Sequence, residues 1–142
     1  MADAAGTREA DVAVADGEIV AVGDSGAVDD AVAERDAGGA TEVDVDGRVV
    51  APGLIDAHVH VMMDGRPDVS TAVSDSDYAA SYRAASNLAA AVEAGGTTVR
   101  DLRRRGTRAP DAAEAVAAGD LDGARTLACC RHATMPGRPR DS

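Results

Sequence analysis

Apolar and polar side chains alternate at the start of the chain. Residues 11–22 read DVAVADGEIVAV, two alternating runs split by Asp16-Gly17. This pattern predicts strand, tight turn and strand, because Asp-Gly suits the positive φ angles of a two-residue hairpin loop. Residues 42–50, EVDVDGRVV, repeat the pattern around Asp46-Gly47 and predict a second hairpin. The acidic, Gly-rich stretch from Gly23 to Gly39 predicts a loop with a little helix. Pro52-Gly53 then closes a small antiparallel β unit.

Beyond that point the rhythm changes. Leu54 to Val61 is a short apolar run and predicts a buried strand. A polar loop follows, through Asp64-Gly65 and Pro67. Asp75 or Ser76 can cap a helix, with acid in its first turn. Tyr78, Tyr82, Ala85, Leu88, Ala89 and Val92 recur at helical spacing and predict its apolar face, and Gly95-Gly96 stops it. Residues 97–102, TTVRDL, predict a second strand. Pro110 suits the first turn of a helix over Asp111 to Ala118, and Ala124 to Cys129 predicts a third strand. Strand, helix, strand, helix, strand is the pattern of parallel βαβ units. Three strands cannot close a barrel, and the polar, proline-rich end PGRPRDS offers no fourth unit. The expectation is a fold that stops part-way, with open sheet edges available for self-association.

Composition limits the core and the partners. Hydrophobic residues make up 45% of 142, yet Phe and Trp are absent and the aromatic residues are Tyr78 and Tyr82. A core of Ala and Val buries little area per residue, so a marginal fold is expected. The formal net charge is −11, from 25 acids against 14 basic residues. Every basic residue is Arg. Acid spread along the whole length reads as a solvated surface that screening ions favour, as in a salt-adapted (halophilic) protein. The same charge repels nucleic acid and anionic membranes, so neither is an expected partner. Met1 to Val14 lacks the basic start and apolar run of a signal peptide, and no apolar stretch approaches a membrane span. A soluble, cytoplasmic protein is expected. Cys129 and Cys130 are adjacent, a spacing that disfavours a disulfide between them and implies no disulfide framework.

The chemistry concentrates in residues 52–60, PGLIDAHVH. Two histidines at i and i+2 on a strand project from one face, and imidazole is a good ligand for zinc and similar metals. Spacing alone leaves a metal-binding pair and two unrelated histidines equally open. The surroundings carry more. A small β unit followed by PGLIDAHVH resembles the amidohydrolase superfamily, in particular its imidazolonepropionase-like and prolidase-like members. EVDVDGRVVAPG is similar to the family's lead-in to the first barrel strand, EAGGTTVRDL to its second strand, and GARTLACCRHATMPG to its third.

That resemblance implies an α/β fold in two parts. Residues 1–52 would form a partial, composite β-sandwich domain, and residues 53–142 the first three βα units of an incomplete (β/α)8 TIM barrel. It implies a metal-dependent hydrolase acting on an amide or cyclic amide C–N bond of a small, dipeptide-like molecule. A water activated by one or two divalent metals, zinc above all, would attack that bond. His58 and His60 would be metal ligands at the end of the first barrel strand. Asp56 would hold the strand end rather than the metal.

The chain also departs from the family pattern. The family completes its site with a carboxylated lysine or a glutamate, two later histidines and an aspartate from the last strand. Lys is absent here, the third histidine is His132, and strands four to eight have no counterpart. Met1 to Glu9 does not resemble the strand that usually opens the β unit. The expectation is an N-terminal fragment without a general base, inactive alone, with a non-catalytic remnant as the alternative. Arg100 and Asp101 stand where related enzymes touch the site or brace the first strand, although a structural ion pair is the favoured reading. Arg103-Arg104-Arg105, with no aromatic neighbours, reads as a solvated loop. Cys129, Cys130 and His132 read as a buried strand with a polar exit.

Overall fold

A computed structural model describes residues 1–35, 39–67, 75–102 and 108–129. The chain divides into two compact units, Met1–Pro52 and Gly53–Ser142. Each is described separately.

In the first unit, β1 (Ala2–Asp3) and β2 (Gly6–Thr7) form a miniature antiparallel pair. The predicted first hairpin follows as β3 (Asp11–Ala15) and β4 (Glu18–Gly23). Asp16 and Gly17 join them at φ 52° and 79°. Both values are positive, as a type I′ turn demands, and the twist of that turn matches the strands it connects. Helix α1 (Ser25–Ala33) comes next. The Asp24 carboxylate caps it by accepting the Ala27 amide at 3.0 Å, and the Ser25 hydroxyl donates to Asp11 on β3 at 2.6 Å. The second predicted hairpin forms only its turn. Asp46 and Gly47 take φ 50° and 69°, and the Arg48 amide donates to the Val45 carbonyl, but no strand is present over residues 39–52. The flanking Val43 and Val49 are 75% and 64% exposed. An isolated two-stranded ribbon that covers no apolar face is marginal in water, which accounts for the unpaired flanks.

The second unit is a parallel sheet in the order β5-β6-β7. Its strands are β5 (Leu54–Val59), β6 (Gly96–Asp101) and β7 (Arg125–Ala128). Helix α2 (Asp77–Glu93) connects β5 to β6, and α3 (Arg108–Ala118) connects β6 to β7. The Ser76 hydroxyl caps α2 by accepting the Ala79 amide, while Asp75 pairs with Arg83 at 2.7 Å. Gly95, at φ 88°, ends the helix in a conformation that side chains disfavour. Arg108 on α3 reaches Asp77 on α2 at 3.0 Å.

The core lies between the helices and one face of this sheet. Ala80, Ala84 and Leu88 of α2 meet Val61, Met62, Val99, Ala109 and Ala124. Small residues permit close approach: a Cβ on Gly123 would come within 2.7 Å of the Leu88 Cβ. The other face is open, with Arg100, Arg125 and Leu127 exposed.

Two expectations change here. The buried stripe of α2 is Ala80-Ala84-Leu88, whereas Tyr78 and Tyr82 are 80% and 77% exposed. Alanines read as filler in a hydrophobicity pattern, but they let α2 sit close to the sheet, where tyrosine would not fit. The predicted buried strand is buried only at its far end. Leu54 and Ile55 are 66% and 72% exposed, because β5 lies at the edge of the sheet among the described residues, beside β6.

Candidate functional site

β5 begins under tight constraint and ends in a turn. A Cβ on Gly53 would fall on the Thr97 side chain, so the bare backbone of glycine lets β5 start beside β6. The strand then runs through Asp56 and His58, and its last hydrogen bond to β6 joins the Leu102 amide to the Val59 carbonyl. His60 follows immediately. The rings of His58 and His60 lie edge to face, with centroids 5.4 Å apart and planes at 86°. His58 is exposed and His60 half-buried. The Nδ1 atom of His60 is itself buried and has no hydrogen-bond partner among the described residues.

Asp56 turns back on its own strand and accepts the His58 amide at 3.0 Å. Asp101, at the end of β6, is completely buried and accepts the Val61 amide at 2.9 Å. It thus ties the residue after His60 to the neighbouring strand. Arg100 points the other way and is exposed, because neighbours on a strand face opposite sides. The two neighbours therefore do not face each other, and the Asp101 carboxylate holds a backbone amide.

Helix α2 holds the same turn from the other side. The Asn87 side-chain amide donates to the carbonyls of Val61 and Met63, both at 2.8 Å. Arg83 donates to the Met62 carbonyl at 2.9 Å. The Met63 amide returns to the His60 carbonyl at 2.9 Å. A cavity of about 290 Å³ opens beside this turn, lined among others by His60, Asp64, Asn87 and Leu88. Sequence reasoning missed Arg83 and Asn87. Their only signal is position, since each stands one residue before a core residue of α2, Ala84 and Leu88.

The structure therefore brings together Asp56, His58, His60 and Asp101 around the end of β5 and leaves Arg100 on the open face. His132 and Cys130 lie outside the described residues, as does the run Arg103-Arg104-Arg105. Among the described residues no three His, Cys, Asp or Glu side chains converge on one point where a metal ion could sit. No described helix is long and apolar enough to cross a membrane.

Comparisons with known proteins bear on the family and the fold. Residues 49–129, more than half of the chain, match the amidohydrolase family model. The chain belongs to the amidohydrolase family. Among solved structures it is similar to a prolidase in complex with N-methylphosphonate-L-proline, at 24% identity and a TM-score of 0.66. That match covers 88% of this chain and 28% of the other. An ochratoxinase of A. niger gives 21% identity and a TM-score of 0.64, covering 89% and 28%. A molinate hydrolase gives 22% identity and a TM-score of 0.61, covering 87% and 26%. A comparison with curated protein sequences gave no match. The chain thus spans between a quarter and a third of the length of these structures. At this level of identity the likeness is one of fold, and it makes β5–α2–β6–α3–β7 a partial TIM barrel. The family consists broadly of hydrolases that generally use divalent metals.

Proposed function

We propose that the chain carries the amino-terminal part of a metal-dependent amidohydrolase site, with His58 and His60 as two of its metal ligands. The observation that carries this reading is the pair of rings at the end of β5, 5.4 Å apart and nearly perpendicular. A zinc ion lies about 2.0–2.1 Å from an imidazole nitrogen, so two rings sharing it at a tetrahedral angle have centres roughly 5 Å apart. The partnerless, buried Nδ1 of His60 also suits a residue whose ring has a ligand still to meet. Both features support a fit between this pair and a divalent cation, zinc above all.

The cation's contribution to such a site is a lowered pKa of bound water and polarisation of a substrate carbonyl. The chain's own residues do the holding. His58 and His60 present nitrogen donors from one short segment. Asp56 and Asp101 bind backbone amides at its two ends and leave the metal to the histidines. The substrate class is a small amide or dipeptide-like molecule whose C–N bond is hydrolysed. The solved prolidase with its proline-derived ligand is in keeping with that class. Turnover belongs to a complete barrel. Catalytic zinc sites use about three protein ligands plus water, so the 142 residues by themselves are expected to bind zinc weakly and not to hydrolyse.

A second reading, self-association without catalysis, draws on the exposed Leu54 and Ile55 of the edge strand β5. Such edges pair readily with other chains.

The test is a zinc titration followed by the His58 and His60 ring resonances. Saturable shifts in both rings, lost in His58→Ala and His60→Ala, are the expected result. Rings that ignore zinc up to millimolar concentration would sink the metal reading.

A further inference from the structure

We propose that Asn87 is a positioning residue for the histidine pair. It sits on α2, yet its side-chain amide donates to two carbonyls of the turn that follows His60. Val61 and Met62 in that turn are only 4% and 5% exposed, so their backbone groups have little water to turn to. Unpaired, each buried carbonyl would carry a desolvation penalty. Secondary structure does not relieve it, because β5 has already ended at Val59. Side chains do. Asn87 serves the carbonyls of Val61 and Met63, Arg83 that of Met62, and Asp101 the Val61 amide.

Asn87 is the member that spans the turn. One NH2 group carries two donors, and here they reach carbonyls two residues apart at equal distance. The Met63 amide in turn holds the His60 carbonyl. The path from α2 to the backbone of His60 is therefore one side chain and two hydrogen bonds long. A side chain that helps fix where the His60 ring stands relative to His58 thus lies on a helix, 27 residues away in sequence. Partners of this kind around metal ligands typically change metal affinity about 10- to 100-fold when removed. The assignment of a metal to this pair rests on the reading under Proposed function, whereas the positioning itself does not.

The experiment uses the full chain and two variants. Asn87→Ala removes both donors, and Asn87→Ser keeps one and stays measurable should the alanine variant fold poorly. Two readouts are made without metal: exchange of the Val61 and Met63 amide protons, and the cross-peaks between the His58 and His60 rings. The expected result is exchange accelerated roughly tenfold at those amides, with Ser intermediate, while Leu88 to Ala91 and the β6 amides stay as they were. The ring cross-peaks weaken in step. Unchanged exchange and unchanged cross-peaks would overturn the proposal, and so would acceleration spread evenly over the whole second unit. A zinc titration separates the two ideas. Wild-type chain that ignores zinc, combined with cross-peaks lost in the variants, overturns the metal reading and leaves Asn87 as the positioning residue. Where the wild-type chain does bind zinc, an affinity equal in wild type and both variants overturns the positioning role.

Discussion

The carboxylate of Asp101 accepts the backbone amide of Val61 at 2.9 Å, forty residues back along the chain and wholly out of contact with solvent. One bond thereby joins the end of β6 to the residue that follows His60. A buried carboxylate is costly unless its oxygens are bonded, so its retention points to a fixed geometry at this corner.

Replacing that carboxylate should be felt at once. Asp101→Ala leaves the Val61 amide buried without its partner, and hydrogen bonds to charged groups contribute about 1.5–3 kcal/mol. In a domain with so small a core, the thermal midpoint should fall by several degrees or the cooperative melt should disappear. A melt within experimental error of wild type would show that Asp101 does not hold the corner.

The helix faces make a paired prediction. Leu88 is fully buried among the core residues of the second unit, and Leu→Ala at such sites costs about 2–5 kcal/mol. Tyr82 is 77% exposed, and surface substitutions usually stay within about 0.5 kcal/mol. Denaturant melts of Leu88→Ala and Tyr82→Ser should therefore differ widely. Equal losses would mean that α2 is rotated from the orientation described.

Metal removal provides a third. If His58 and His60 hold a divalent cation in a protein with a complete barrel, a chelator should abolish hydrolysis of a small amide substrate and added zinc should restore it. His60→Ala should not be rescued by zinc at concentrations that saturate the parent. Hydrolysis that survives both treatments would remove the histidine pair from the mechanism.

Salt should stabilise the chain. A net charge of −11 over 142 residues repels itself, and molar salt shortens the screening length to roughly 3 Å. The thermal midpoint is expected to rise as KCl is raised toward molar concentration. A midpoint that falls would count against a salt-adapted surface.

Local pattern carried much of this fold. Alternation around Asp16-Gly17 predicted the hairpin of β3 and β4, since a period of two and a turn dipeptide are properties of neighbouring residues. The same local logic identified β5, α2, β6, α3 and β7. The flanks of Asp46-Gly47 show its limit. Identical patterning produced a turn without strands, because pairing also needs an apolar face to cover. Tyr78 and Tyr82 show another, where hydrophobicity marked one helix face and close packing selected the alanines beside it.

The sequence alone determined the order of the elements, the net negative charge and the two histidines of PGLIDAHVH, none of which depends on contacts distant along the chain. Tertiary structure decided what holds those histidines. Asn87, Arg83 and Asp101 converge on the turn after His60 from a helix and a strand, at separations of 21 to 40 residues. No periodicity marks such partners. They are selected by the unpaired amides and carbonyls that folding buries, and these come into being only when the strand end, the helix and the sheet meet.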